Sequence, residues 1–153
     1  MRPLLNIAYF LLPKSDVAYL YDDHTFRQGL EKMRRNGYAS IPVISRSGKY
    51  VGTVSEGDFL WHLLEANPEN LTVHSMKDME QLHIRDILRP DTYLPVRITV
   101  TMDQLLESAT HQNFIPVIDD LDNFIGIVTR PTILRYLAGT PKTAATEQKE
   151  PIS

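Results

Sequence analysis

"SIPVISRSGKYVGTVSEGDFL", Ser40 to Leu60, returns later in the chain as "FIPVIDDLDNFIGIVTRPTIL", Phe114 to Leu134. Pro42 and Pro116 stand 74 apart, as do Gly52 and Gly126, so a single unit is written twice, and such a repeat governs the reading of the whole fold. Upstream, "TFRQGL" at Thr25 and "TMDQLL" at Thr101 match at a spacing of 76, and "IAYFLLP" at Ile7 and "IRDILRP" at Ile84 match at 77. The drift places small deletions in the second copy.

Each copy predicts the same series of elements. "VAYLY" and "LPVRITV" have the β-branched and aromatic character of short strands. Thr25-x-x-Gln28 and Thr101-x-x-Gln104 are capping boxes, whose side chains satisfy the free backbone donors at a helix start. Phe26, Leu30 and Met33 recur at helical spacing as a core stripe, and Gly37 supplies the left-handed stop. "IPVIS" and "YVGTVS", joined by Arg46 to Lys49, read as a hairpin, as do "IPVID" and "FIGIVT". A last helix starts at Ser55 or Thr129; its apolar residues, Phe59, Leu60, Leu63 and Leu64 or Ile133, Leu134 and Leu137, are expected to pack on the sheet. The fold class is therefore α/β (α+β), with two β-α-β-β-α repeats over 3–66 and 83–138. Residues 67–82 read as a linker and the start of a lead-in helix, and 139–153 as a mobile tail.

Composition narrows the function. The chain has 153 residues, 42% hydrophobic and 23% charged, with a net charge of −3. That suits a globular protein and argues against nucleic acid as the main partner. It has no cysteine, which removes disulfides, thiolate metal sites and a cysteine nucleophile, and fits a cytoplasmic setting. At the start, Arg2 precedes an apolar run, but Asn6 interrupts it and no small-x-small cleavage site follows, so the stretch is read as part of the repeat. No run approaches the roughly 20 apolar residues of a membrane span. His24, His62, His74, His83 and His111 have no metal-ligand spacing, and no catalytic nucleophile or carboxylate pair stands out. "SGK" at Ser47 to Lys49 reads as a hairpin turn rather than a phosphate loop, and Trp61 and His62 as a core or dimer contact.

The junctions at Ser55 and Thr129 feed a strand directly into a helix start, where unpaired N–H groups and the helix dipole favour phosphate. Asp58, on the first turn, could accept two hydrogen bonds from the neighbouring hydroxyls of a ribose, as acids do in dinucleotide folds. The same Ser-x-x-Asp is also a plain capping box. At the second junction Thr132 stands where the first has Asp58.

"YASIPVISRSGKYVGTVSEGDFLWHL" and "NFIPVIDDLDNFIGIVTRPTILRYL" each resemble the second half of a CBS domain. The resemblance runs over about residues 3 to 138. It implies a Bateman module: a pseudo-twofold pair with two clefts that bind adenine nucleotides, regulatory rather than catalytic, without a cofactor, commonly homodimeric, and signalling to a separate target protein. By the family pattern one cleft uses Gly52, Thr53, Ser55 and Asp58 with Leu94, Val96, Asn113 and Phe114. The other uses Val128, Thr129 and Arg130 with Val17, Ala18, Ala39, Ser40 and Ile41.

The second cleft also resembles that of stand-alone bacterial CBS proteins that bind cyclic di-AMP, in "DVAYL", "YASIPV" and "IVTR", although Pro131 departs from their pattern. Without an acid, and with the donor fork of Arg130, it suits a ligand rich in phosphate whose 3′ oxygens are esterified. The alternative is a structural protein-interaction module whose clefts are vestigial. An enzyme acting on nucleotides is a third reading, without a visible base, nucleophile or metal set to support it.

Overall fold

The computed structural model describes residues 6–66, 80–89 and 92–139. Most of the expected linker, and the tail beyond Gly139, lie outside the described residues. The strands are β1 (Leu12–Pro13), β2 (Leu20–Tyr21), β3 (Ser40–Ile44), β4 (Tyr50–Ser55), β5 (Val96–Arg97), β6 (Phe114–Ile118) and β7 (Phe124–Thr129). The described helices are α1 (Phe26–Asn36), α2 (Glu56–Ala66), α3 (Ile84–Ile87), α4 (Met102–His111) and α5 (Arg130–Leu137). This is the mixed α/β architecture expected from the repeat.

The chain forms two compact units. In the first, the sheet runs β2-β3-β4 and is built from the first copy. In the second, the order is β1-β7-β6-β5. The hairpins match residue for residue: Ser40 opposes Ser55 as Phe114 opposes Thr129, and a register shift falls between Val43 and Ile44 as between Val117 and Ile118. Parallel pairing adds the short strands, with Leu20 opposite Val43 and Val96 opposite Val117. "VAYLY" and "LPVRITV" thus hold only two strand residues each, because only those reach the neighbouring strand.

Both capping boxes form as the sequence predicts. Thr25 Oγ1 accepts from the Gln28 N–H at 3.1 Å while Gln28 Oε1 accepts from the Thr25 N–H at 2.9 Å. Thr101 and Gln104 repeat this at 3.2 and 3.1 Å. The two helices stop differently. Gly37, at φ 68°, closes α1 in the left-handed region, whereas α4 ends in an extended Gln112.

Two apolar stripes are narrower than their sequences suggest. Phe26 and Met33 are buried, but Leu30 is exposed and Gly29 takes the inward place, where Ile84 packs on it. Among the described apolar side chains of the last helices only Phe59 and Ile133 are fully enclosed, while Leu60, Leu134 and Leu137 face outward. A helix of two to three turns on a small sheet of three or four short strands has room for a single buried row.

The lead-in segments are exchanged between the copies. Ile84 and Ile87, from the start of the second copy, lie in the core of the first unit with Leu20, Phe26, Ile41, Val54 and Phe59. Backbone bonds fix them there: the Phe26 N–H donates to the Leu82 carbonyl at 2.7 Å, and the Ile84 N–H to the His24 carbonyl at 2.8 Å. Reciprocally, Ile7 and Phe10 lie in the core of the second unit with Leu105, Ile115, Val128 and Ile133. There β1 pairs antiparallel with β7, Leu12 opposite Ile127 and Pro13 opposite Gly126. Each fully buried aliphatic or aromatic side chain contributes about 1.5–3 kcal/mol, so two such residues fasten each segment substantially.

The repeated glycine permits this docking. A β-carbon on Gly126 would run into the Leu12 carbonyl oxygen and stand 2.8 Å from Leu11 Cδ1; one on Gly52 would stand 2.9 Å from Leu88 Cδ2. Leu11 and Leu88 occupy equivalent places in the two lead-ins. Gly126→Ala is expected to cost about 1–3 kcal/mol through overpacking against backbone. Gly52→Ala, which meets only the flexible tip of Leu88, should cost less. Thermal melts of the two variants check the difference, and equal losses would contradict it.

Candidate functional site

Two strand-to-helix junctions, each built inside one unit, gather Ala39, Ser40, Gly52, Thr53, Ser55 and Asp58 in the first and Asn113, Phe114, Val128, Thr129 and Arg130 in the second. In the first unit the hairpin brings the end of β4 beside the start of β3, and the Glu56 N–H donates to the Ala39 carbonyl at 2.9 Å. Ser55 and Asp58 then close on each other. The Ser55 N–H donates to Asp58 Oδ2 at 2.8 Å, and the Asp58 N–H donates to Ser55 Oγ at 3.2 Å. This is a complete capping box at a helix N-terminus, where a carboxylate is also favoured by the dipole.

The box accounts for one carboxylate oxygen. The other, Oδ1, faces Arg89, whose Nε lies 2.7 Å away. The contact is an ion pair without hydrogen-bond alignment, so Oδ1 has no hydrogen bond among the described residues. Asp58 is only 6% exposed, while the Arg89 side chain is 61% exposed. The packing of Leu88 on Gly52 delivers Arg89 to this place. Sequence reasoning missed Arg89; the available signal was that "DILRP" carries an arginine where "YFLLP" carries Leu12.

Around this junction the other predicted residues have identifiable duties. Gly52 admits Leu88, and the buried Thr53 hydroxyl shares a 2.8 Å hydrogen bond with the Tyr50 hydroxyl. Ile41 is core and Ala18 packs against it. Ser40 is buried, and its Oγ has no hydrogen-bond partner among the described residues.

The second unit repeats the backbone and changes the chemistry. The Arg130 N–H donates to the Asn113 carbonyl at 3.3 Å, as Glu56 does to Ala39. No carboxylate follows; the Thr129 and Thr132 hydroxyls instead bond each other at 2.9 Å. Arg130 turns toward α4: Nε donates to the Ala109 carbonyl at 2.7 Å, Nη2 to the Thr110 carbonyl at 3.3 Å, and Nη1 to Asn113 Oδ1 at 3.0 Å. Three of its five N–H groups are thereby used. A cation on the last carbonyls of a helix satisfies orphan acceptors and the dipole together, so Arg130 does for α4 what Gly37 does for α1.

Val128 and Phe114 are buried in this unit, as is Val17. Val96 lies in β5, and Leu94 is exposed, its carbonyl accepting from Gln112 Nε2 at 3.2 Å.

Among the described residues no cluster of three or more histidine, aspartate or glutamate side chains could hold a metal ion, and no helix is long and apolar enough to cross a membrane. His24 serves the fold. Its Nδ1 accepts the Tyr21 N–H at 3.2 Å and its ring meets Tyr21 edge to face. Burial first, then Arg46 and Lys32, hold its pKa below the ordinary 6.5.

The CBS domain family matches residues 10–65 and 84–139. The chain belongs to the CBS domain family. Its tandem CBS repeats are similar in structure to CbpB in complex with cyclic di-AMP, with 27% identity, a TM-score of 0.78, and coverage of 89% of this chain and 86% of that one. Listeria monocytogenes CbpB in complex with cyclic di-AMP aligns at 21% identity and TM-score 0.75, covering 88% of this chain and 96% of that one. CBSX2 in complex with AMP aligns at 24% and 0.66, covering 88% and 96%. The tandem pair is thus related to CBS proteins whose structures hold adenine nucleotides.

Arg130→Gln should lower stability by about 1–2 kcal/mol, the worth of charge-assisted bonds at a helix C-terminus, seen as a fall of a few degrees in Tm. An unchanged melt would remove the capping role. Because the folded state holds His24 neutral, its contribution is present above about pH 6.5 and is lost as pH falls through the lowered folded value. The stability difference between wild type and His24→Asn should therefore shrink on acidification; a difference that is flat with pH would contradict this.

Proposed function

We propose that this CBS pair is a non-catalytic regulatory module that senses adenine nucleotides, namely AMP, ADP, ATP or cyclic di-AMP, and signals to a partner protein. The observation that carries the reading is Asp58: a nearly enclosed carboxylate at a helix N-terminus, in a chain 27% identical over most of its length to a CBS protein crystallised with cyclic di-AMP. A hydroxyl-bearing ribose and a phosphate are the groups such a junction recognises.

In this reading Gly52, Thr53, Ser55 and Asp58 act with Leu94, Val96, Asn113 and Phe114, and Val128, Thr129 and Arg130 act with Val17, Ala18, Ala39, Ser40 and Ile41. The first group keeps an acceptor for a free ribose hydroxyl. The second offers only hydroxyls in its place and suits a ligand with esterified ribose oxygens. Adenine stacking and backbone hydrogen bonds complete recognition, and no bond is broken.

A regulatory ligand acts only through different affinity for two states of the protein or its assembly. The exposed Leu60 and Trp61 on α2, and Leu134 and Leu137 on α5, support a homodimer formed through these helices, in a cytoplasmic protein.

Calorimetry with AMP, ATP and cyclic di-AMP tests the proposal directly: at least one should bind, and no heat from any at millimolar concentration would refute it. Thr132→Asp restores the missing acid. It is expected to add an AMP site or tighten AMP about tenfold, and an unchanged isotherm would remove the assigned role of this position.

A further inference from the structure

The Asp58–Arg89 pair goes beyond what a capping box requires. Such a box needs one acceptor oxygen, and the chain opens α1 and α4 with neutral glutamines, Gln28 and Gln104. At α2 it instead encloses a full negative charge, which is costly unless paired, and pairs it with a guanidinium that remains largely in solvent. Oδ1 is buried and is held by the Arg89 ion pair at 2.7 Å, with no aligned hydrogen bond among the described residues.

The two residues also vary together between the copies. Asp58 corresponds to Thr132 at the spacing of 74, and Arg89 to Leu12 at the spacing of 77. Where the acid is absent the arginine is absent too, and Leu12 simply pairs with Ile127 in the sheet. The second unit folds the same hairpin without either charge, so the pair is not a requirement of the fold.

We infer that Asp58 and Arg89 together read a ribose that carries a phosphate on one of its two ring hydroxyls and keeps the other free. This rests on the adenine-nucleotide reading above and specifies the ligand class of its first junction. In dinucleotide sites an acid accepts a ribose hydroxyl, or an arginine accommodates a phosphate on that oxygen; here both groups stand at one junction. With the two side chains already in contact, the free hydroxyl donates to Asp58 Oδ1 while the guanidinium moves outward onto the phosphate, where its planar fork makes paired charge-assisted bonds. Arg89 is largely in solvent and free to swing outward, and the hydroxyl that takes its place on Oδ1 offsets the pairing that the enclosed carboxylate gives up. An unmodified diol also reaches Asp58 but leaves Arg89 without its carboxylate and without an anion in exchange. Adenosine 3′,5′-bisphosphate fits the description.

Calorimetry on the full chain with adenosine 3′,5′-bisphosphate, ADP and 5′-AMP tests this, because the first two carry the same number of phosphates in different places. The bisphosphate should bind about tenfold tighter than either of the others, the worth of a charge-assisted contact. Arg89→Gln should abolish that preference while leaving 5′-AMP within about threefold, and Arg89→Lys should retain part of it. A wild-type chain that binds 5′-AMP or ADP as tightly as the bisphosphate, or an Arg89→Gln variant that keeps the preference, overturns this inference alone. A chain that binds none of these nucleotides, nor cyclic di-AMP, overturns the functional reading along with it.

Discussion

The close approach of each lead-in segment to the repeated glycine is the constraint on which the rest depends. At Gly126 the space a side chain would need is filled by the backbone of Leu12, and at Gly52 by the side chain of Leu88. Through these contacts each unit is completed by residues from the start of the other copy, which donate two buried apolar side chains and a set of backbone hydrogen bonds. Neither copy could bury its hairpin as well from its own residues alone. The same docking sets Arg89 against Asp58, so a packing rule in the core fixes the electrostatics of the junction.

On this shared frame the copies diverge where chemistry is exposed. The first ends its helix with a left-handed glycine and keeps an acid, countered by an arginine. The second dispenses with the glycine, ties off its helix with Arg130, and replaces the acid by a pair of hydroxyls. Two junctions of matched backbone thus present unlike charge. Discrimination comes from the few polar groups around a common fold rather than from the fold itself.

Much of this was legible in the sequence. The repeat, both capping boxes, the Gly37 stop and the two hairpins follow from local rules whose consequences are local. The exchange of lead-in segments was not, since nothing in "IAYFLLP" or "IRDILRP" states which copy it packs against. The Leu30 and Leu60 assignments failed because periodicity marks an apolar face without saying how much of it a small sheet can cover. Arg89 was invisible for a related reason: it is near Asp58 only through the packing of Leu88 on Gly52, a long-range contact. Arg130 is legible as a donor fork, but its structural task depends on the absence of an α1-type glycine in the second copy and on the fold that brings it to the end of α4.

Adenine nucleotide held at the strand-to-helix junctions, as proposed, would mark the residues there in solution. Backbone amide resonances followed by NMR during titration with AMP and with adenosine 3′,5′-bisphosphate test it most directly. The largest shifts are expected at Ser55, Glu56, Gly57, Asp58 and Arg89. Shifts confined to the outer helix faces around Trp61 and Leu134, or no shifts at saturating nucleotide, would contradict it.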